Sequence, residues 1–503
     1  MRHTCITRTI AWLLVSLMAL GTFAACASDD AGTPEAVTTA EPISTTAAPA
    51  VIETTVPPET EPAYPYPDVT YNGAEFAILN CADRANMLYQ LLPAEIIGEA
   101  LSDERYKLNQ RVSDRYQVTL KETQIPYNDL QSYATNEIMS NSPVHDIFYL
   151  SPPQVAPMMN SGYLLNLLEM DKLNLEEYWW DQNLLNDSVI RNRLYYAGSD
   201  YNLQPLEATI AIFFNSDMMT QLQLELPYDL VREGKWTMDK LYEYCSKAAN
   251  LNGDNSFTFS ANGNAVYGIS SNGNMMDAFL TGCDAYYVDH NSDGEPTLTF
   301  NTEHFIDACQ KIGELTSSEG LFLDGTALYE GTPNPIYIEL FKNNRMLFVG
   351  QNIKAAAAES ELRNMESTFG ILPFPKYNEQ QENYANHVYY ASQYVTIPVT
   401  CSDPERASIL IDTLSYETAE YVLPYYYDRV SYKGLRNQDS VDMLNIICNT
   451  RYYNWGLAYG WVSTVRTTVY QQLMAGNGNI ASLLNRYVKL ANTQMEKTLE
   501  NFK

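Results

Sequence analysis

The residues able to do covalent chemistry are few and scattered. Beyond the leader the 503-residue chain holds four histidines, His145, His290, His304 and His387, and none lies within five residues of another. No H-E-x-x-H, G-x-S-x-G or G-x-x-x-x-G-K-[ST] occurs, so the spacings that bind catalytic zinc, expose a serine nucleophile or cradle phosphate are missing. Six cysteines follow Cys26, namely Cys81, Cys245, Cys283, Cys309, Cys401 and Cys448, with no C-x-x-C pair, and they read as small buried side chains. Asp289-His-Asn-Ser-Asp-Gly294 imitates half a calcium loop, but its twelfth position is Phe300, where a bidentate acid is needed, so a turn before the strand Thr297–Phe300 is expected. Acidic pairs such as Glu176-Glu177 are common, yet a glycosidase pair is defined by separation in space. Plentiful instead are flat aromatic side chains, 38 Tyr, 16 Phe and 6 Trp, which suit holding a ligand more than transforming one. No metal and no cofactor is expected.

Such groups need elements to position them. Glu75–Asn80 reads as a buried strand, and Leu101, Leu108, Val112 and Tyr116 recur at helical spacing behind Ser102 as cap. A strand over Tyr116–Thr123, a helix over Asn128–Met139 and a strand over His145–Leu150 complete a β-α-β-α-β opening, which predicts a parallel sheet. A further helix is expected over Val155–Leu168. Ala208–Asn215 carries the strongest strand pattern; Thr237 and Thr302 are expected to cap helices, and Arg345–Gly350, Phe369–Pro375 and Tyr394–Val399 read as strands. From Ser402 onward the pattern is helical, and about 430 residues exceed what one core holds, so two lobes are expected.

The first 25 residues have a basic start, an apolar run from Ile10 and small residues before Cys26, the layout of a secretory signal. The stretch resembles a bacterial lipoprotein signal, with Phe23 where that family favours Leu, and the resemblance makes Cys26 the lipidated first residue of the mature chain. The alternative is an ordinary secretory signal cut nearby. Residues 26–69, rich in Thr, Pro, Ala, Glu and Val, read as an open spacer. A formal charge of −30 makes nucleic acid and anionic membrane poor partners, so attachment to the membrane would rest on the lipid.

Several stretches in a shared order resemble the sugar-binding group of extracellular solute-binding proteins of bacterial ABC importers, of the maltodextrin-binding kind. They are Ala208–Asp217, Tyr228–Thr237, Phe341–Phe348, Phe369–Lys376 and Ser402–Ala407. The resemblance implies a two-lobed α/β fold of the periplasmic-binding-protein type II, with hinge crossovers and a helical C-terminal region. Lobe 1 would comprise about 70–212 and 370–424, lobe 2 about 213–369 and 425–503. It further implies a monomer on the outer face of the cell membrane that captures a sugar or oligosaccharide and delivers it to ABC permease subunits. A surface glycan-binding protein without a transporter, or a glycoside hydrolase, are the alternatives.

A sugar offers apolar ring faces and many hydroxyls, so its site needs aromatic platforms edged by carboxylate, amide and arginine groups. Asp83 and Arg84 end the first strand, and Tyr149 lies near the end of the third, where ligands of open α/β sheets sit. Glu207 stands at the mouth of the first crossing. The resemblance adds Asn272 and Asn274, Gln351 and Asn352, and Trp455, Tyr459 and Trp461 ahead of Val465–Val469, with Trp461 or Trp455 as platform.

Overall fold

The computed structural model describes residues 64–83, 90–271, 275–325, 335–435 and 437–502. Residues up to Pro67 form one unit, of which a turn at Tyr64–Tyr66 is described, and Asp68–Lys503 form a second. The strands are β1 Ala74–Cys81, β2 Val118–Ile125, β3 Ile147–Leu150, β4 Ile210–Asn215, β5 Tyr267–Ser271, β6 Val288–His290 and β7 Pro296–Leu298. They continue with β8 Phe322–Asp324, β9 Met346–Asn352, β10 Phe369–Leu372, β11 Asn386–His387, β12 Tyr394–Thr396 and β13 Arg451–Tyr452.

The first sheet has the order β12-β3-β1-β2. β1 runs parallel to β2 from Ala74 opposite Val118 to Cys81 opposite Ile125, and parallel to β3 on its other side. This is the sheet that the β-α-β-α-β pattern predicts, since parallel neighbours require a crossover between them. The helix Ala100–Tyr116 supplies one crossover, burying Leu101, Leu108, Val112 and Tyr116. Its cap is Glu99, whose carboxylate accepts from the Ser102 N–H at 2.9 Å; Ser102, expected as cap, lies within the first turn. β12 closes the edge antiparallel to β3 and arrives from far along the chain, with Thr396 opposite Phe148. The helix expected over Val155–Leu168 runs from Pro152 to Asn160, with a prolyl start and Ser151 before it.

The second sheet has the order β10-β4-β9-β5-β8. All six residues of β4 are buried, as its unbroken apolar run requires of a central strand. β10 pairs with β4, setting Phe369 opposite Asn215 and Leu372 opposite Ile212. The lobe limits expected at 212 and 370 therefore shift. β4 belongs to the second sheet from Ile210 onward, and β10 belongs there too, so the chain returns to the first sheet only through β11, where Thr209 bridges Val388. A third crossing follows the helix Pro404–Tyr421, by way of Leu423–Tyr427 and Asp428–Leu435, to the helix Gln438–Asn449, which packs on β10. Among the described residues no helix is long and apolar enough to cross a membrane.

Two close fits lock these layers. A Cβ on Gly370 would collide with the Tyr228 hydroxyl and the Phe214 ring, so no larger residue fits there without moving both rings. Asp412 is fully buried and accepts from the Asn174 N–H at 3.1 Å, the Asn174 amide at 2.6 Å, and the indoles of Trp179 and Trp180 at 3.0 and 2.8 Å. It fastens the helix Pro404–Tyr421 to the segment 174–180. β6 and β7 form the turn expected at Asp289–Gly294, with the Asn291 side chain accepting from the N–H groups of Asp293 and Glu295.

Candidate functional site

The carboxyl ends of β1, β2 and β3 deliver three polar side chains to one rim. Asp83 Oδ2 accepts from the Tyr127 N–H at 2.7 Å. The hydroxyl of Tyr127, first residue of the helix after β2, shares a 3.1 Å hydrogen bond with Ser151 Oγ, and the Gln154 amide ties both down: it donates to Tyr127 O at 2.9 Å and accepts from Ser151 N and Oγ at 3.0 Å each. Parallel strands aim their carboxyl ends alike, so three successive βα turns place their first residues together.

From the second lobe, Asp277 opens the helix Met275–Gly282 after β5 and meets Arg466 of the helix Ser463–Met474. Arg466 Nε donates to Asp277 Oδ2 at 2.6 Å, and the Tyr287 hydroxyl donates to Oδ1 at 3.4 Å. Burial alone would discharge Arg466, but the Asp277 carboxylate outweighs it and raises its pKa. The guanidinium lies 4.9 Å over the Tyr390 ring, and Tyr389 meets Tyr390 edge-on at 5.1 Å. Both tyrosines follow β11, on the second crossing, and are half-buried. Burial, then the neighbouring Tyr389, pushes the Tyr390 phenol up; Tyr127 and Asp277 add to this and Arg466 opposes it, so Tyr390 feels both rims. Beside it His387 is fully buried with neither ring nitrogen hydrogen-bonded, and burial lowers its pKa to about 4.

The expected site residues are dispersed. Asp83 stands on the rim; Arg84, Asn272 and Asn274 lie outside the described residues. Tyr149 is fully buried inside β3 opposite Val395, so its ring packs in the core. Glu207 is fully buried at the end of the helix Gln204–Glu207. Gln351 faces Ala211 across the second sheet and its amide oxygen accepts from the Asn352 N–H, while Asn352 ends the strand opposite Ile210.

The aromatic trio needs the largest correction, because its rings cover one another. Trp461 stacks on Tyr459 at 5.0 Å and meets Trp455 edge-on at 5.7 Å, and Trp455 stacks on His290 at 4.3 Å. Trp461 Nε1 donates to Thr498 Oγ1 at 2.9 Å, and none of the three is more than 9% exposed. No ring face is left for a ligand in this conformation. What lies at the rim instead is Arg466, inside the Val465–Val469 stretch itself. Tyr127 and Ser151 follow their strands as Asp83 follows β1, so the rule that selected Asp83 could have found them. Asp277, Tyr389, Tyr390 and His387 carry no local signal beyond the tyrosine doublet after His387.

Two lobes joined by three crossings bring these polar and aromatic side chains near one another beside the second crossing. The sequence signature described as bacterial extracellular solute-binding protein matches residues 103–316. The fold is that of the two-lobed solute-binding proteins. Among solved structures of this fold, the maltose/maltodextrin-binding domain of Bdellovibrio bacteriovorus bound to maltotriose aligns with TM-score 0.51 at 16% identity, covering 84% of this chain and 100% of its own. An ABC substrate-binding protein of Listeria monocytogenes in complex with cycloalternan gives 0.51 at 10%, covering 85% and 98%. The UgpB protein of Mycobacterium tuberculosis in complex with glycerophosphocholine gives 0.54 at 12%, covering 86% and 99%. No curated protein matches the chain by sequence. At such identities the solute-binding fold is shared while the ligand is not specified.

Proposed function

We propose that this chain is the substrate-binding lipoprotein of an ABC importer, anchored through Cys26 on the outer face of the membrane, which captures a sugar or oligosaccharide and hands it to permease subunits without altering it. The observation that carries this reading is the grouping of half-buried Tyr127, Tyr389 and Tyr390 with the Asp277–Arg466 pair beside the second crossing. Half-exposed tyrosines supply apolar faces with a hydroxyl at the edge, and a carboxylate beside a guanidinium can accept from and donate to neighbouring sugar hydroxyls. Because Asp277 already neutralises Arg466, the pair favours a ligand without net charge. Ligand bridging the two rims shifts the open–closed balance toward closed.

A thermal-shift screen over mono- and oligosaccharides tests the substrate class, since a ligand that binds only the folded state raises the midpoint. Stabilisation by amino acids or peptides and by no sugar would sink it.

A further inference from the structure

A second set of side chains, sharing no residue with the tyrosine grouping, ties the first lobe to the C-terminal end of the second. Arg191 belongs to the first lobe, because the segment that carries it is bonded there. The Leu194 N–H donates to Asn166 Oδ1 at 2.9 Å, the Leu167 N–H donates to Leu194 O at 2.8 Å, and Ala197 bridges Val395 of β12. Glu295 sits in the turn between β6 and β7, and β7 packs against the helix Val488–Leu499, whose Thr498 hydroxyl accepts from Trp461. The short turn Glu500–Phe502 follows that helix.

Three contacts join the two lobes here. Arg191 grips the Glu295 carboxylate with two nitrogens, Nε donating to Oε1 at 2.9 Å and Nη2 to Oε2 at 2.8 Å, while Nη1 donates to Leu499 O at 3.0 Å. The Asn501 amide donates to Asn160 Oδ1 at 2.8 Å, at the end of the helix that begins beside Ser151. Phe502, 2% exposed, lies edge-on to Tyr195 at 5.7 Å and to Tyr459 at 6.0 Å; Tyr195 packs on the core of the first lobe and Tyr459 belongs to the second. The backbone adds an independent sign. Arg191 and Asn192 have positive φ, +48° and +60°, in the two-residue turn between Ile190 and Arg193, where Asn and Gly are the ordinary occupants and Arg is not. A long side chain kept in so unfavourable a conformation is accounted for by what its guanidinium reaches.

We propose that Asn160, Arg191 and Tyr195 of the first lobe and Glu295, Asn501 and Phe502 of the second form a clasp that holds the lobes together before any ligand arrives. The inference rests on the two-lobed binding reading and adds a regulation to it: entry and release of ligand both wait for the clasp to open. Its polar half is suited to yielding. The Arg191 and Glu295 side chains are 33% and 37% exposed, so water and salt screen the pair, and an exposed pair with good two-point geometry shifts an equilibrium by about fivefold. Phe502 supplies the apolar share, being buried between rings of both lobes.

The test uses no sugar, so its outcome is separate from that of the thermal-shift screen. Spin labels on Asp129→Cys and Thr467→Cys, exposed neighbours of Tyr127 and Arg466, report the distance between the lobes by pulsed electron resonance. The six cysteines after Cys26 are buried, and Cys26→Ser removes the remaining thiol of the mature chain. In the labelled parent a short distance should dominate. Arg191→Glu should lower the ratio of short to long distances about fivefold, Glu295→Arg likewise, and the two together, with the charges exchanged, should recover most of the parent ratio. A long distance dominating in the parent, or an unchanged ratio in R191E, overturns the proposal. So does a double variant no nearer the parent than the single ones, since Arg191 would then act only within its own turn. Should R191E fail to fold, Glu295→Gln takes its place: a ratio lowered about twofold or more supports the clasp and an unchanged ratio overturns it.

Discussion

Asp412 shows what one side chain can carry when its burial is matched by donors. Four hydrogen bonds from Asn174, Trp179 and Trp180 converge on it, so Asp412→Ala strands the two buried indole donors, and we expect a loss of about 3 kcal/mol in urea unfolding at pH 7. His387 makes the opposite prediction for acid. Its folded pKa, about 4, lies below the ordinary value near 6.5, so the unfolded chain binds the extra proton. The stability it contributes is present above about pH 6.5 and is lost as pH falls toward 4, at up to about 1.4 kcal/mol per pH unit. Unfolding between pH 7 and 4.5 should show that slope, and His387→Leu should flatten it; an unchanged slope would assign the acid sensitivity elsewhere. In the cleft, Tyr390→Ala should weaken a sugar found by the thermal screen by tenfold or more in titration calorimetry, whereas Trp461→Ala should act mainly on stability. Individual site residues were the least legible part of the sequence. Asp83 follows from a positional rule, the end of a parallel strand, and it stands there beside Tyr127. Trp461 was misplaced because an aromatic near a cleft motif looks the same in sequence whether its face is open or stacked on Tyr459.

Elements were more legible, because their signals are local. Thr237 and Thr302 cap the helices they were expected to cap, accepting from Lys240 N and Phe305 N, and β4 is as buried as its apolar run implied. Ser102 failed as a cap because Glu99, three residues earlier, accepts from the Ser102 N–H itself. β10 was found as a strand but placed at the wrong boundary, since four apolar residues do not reveal which sheet they join. Its register makes a sharp prediction at Gly370. Gly370→Ala must displace the Tyr228 hydroxyl and the Phe214 ring, and we expect a loss of about 1–3 kcal/mol with ligand affinity per folded molecule nearly unchanged. Unfolding and calorimetry on the same preparation separate the two effects.

For the whole molecule the two-lobed architecture was legible from the order of motifs, while the proposed cleft was not, because it would be assembled from residues as far apart as Tyr127, Asp277, Tyr390 and Arg466. In the proposed arrangement the anchored Cys26 and the spacer hold the binding unit near its permeases, raising their effective concentration within the reach of the spacer. Cys26→Ser should release the protein from the membrane fraction into the medium, read by fractionation; retention would place the anchor elsewhere. The antiparallel pairing of β12 with β3 has a kinetic consequence. Thr396 must find Phe148 across 248 residues, and the second lobe is completed only by segments beyond residue 438. Neither lobe is a continuous stretch that can fold as it emerges, so closure of long loops is expected to limit refolding, and fragments ending before β12 should remain protease-sensitive and prone to association through the uncovered edge of β3.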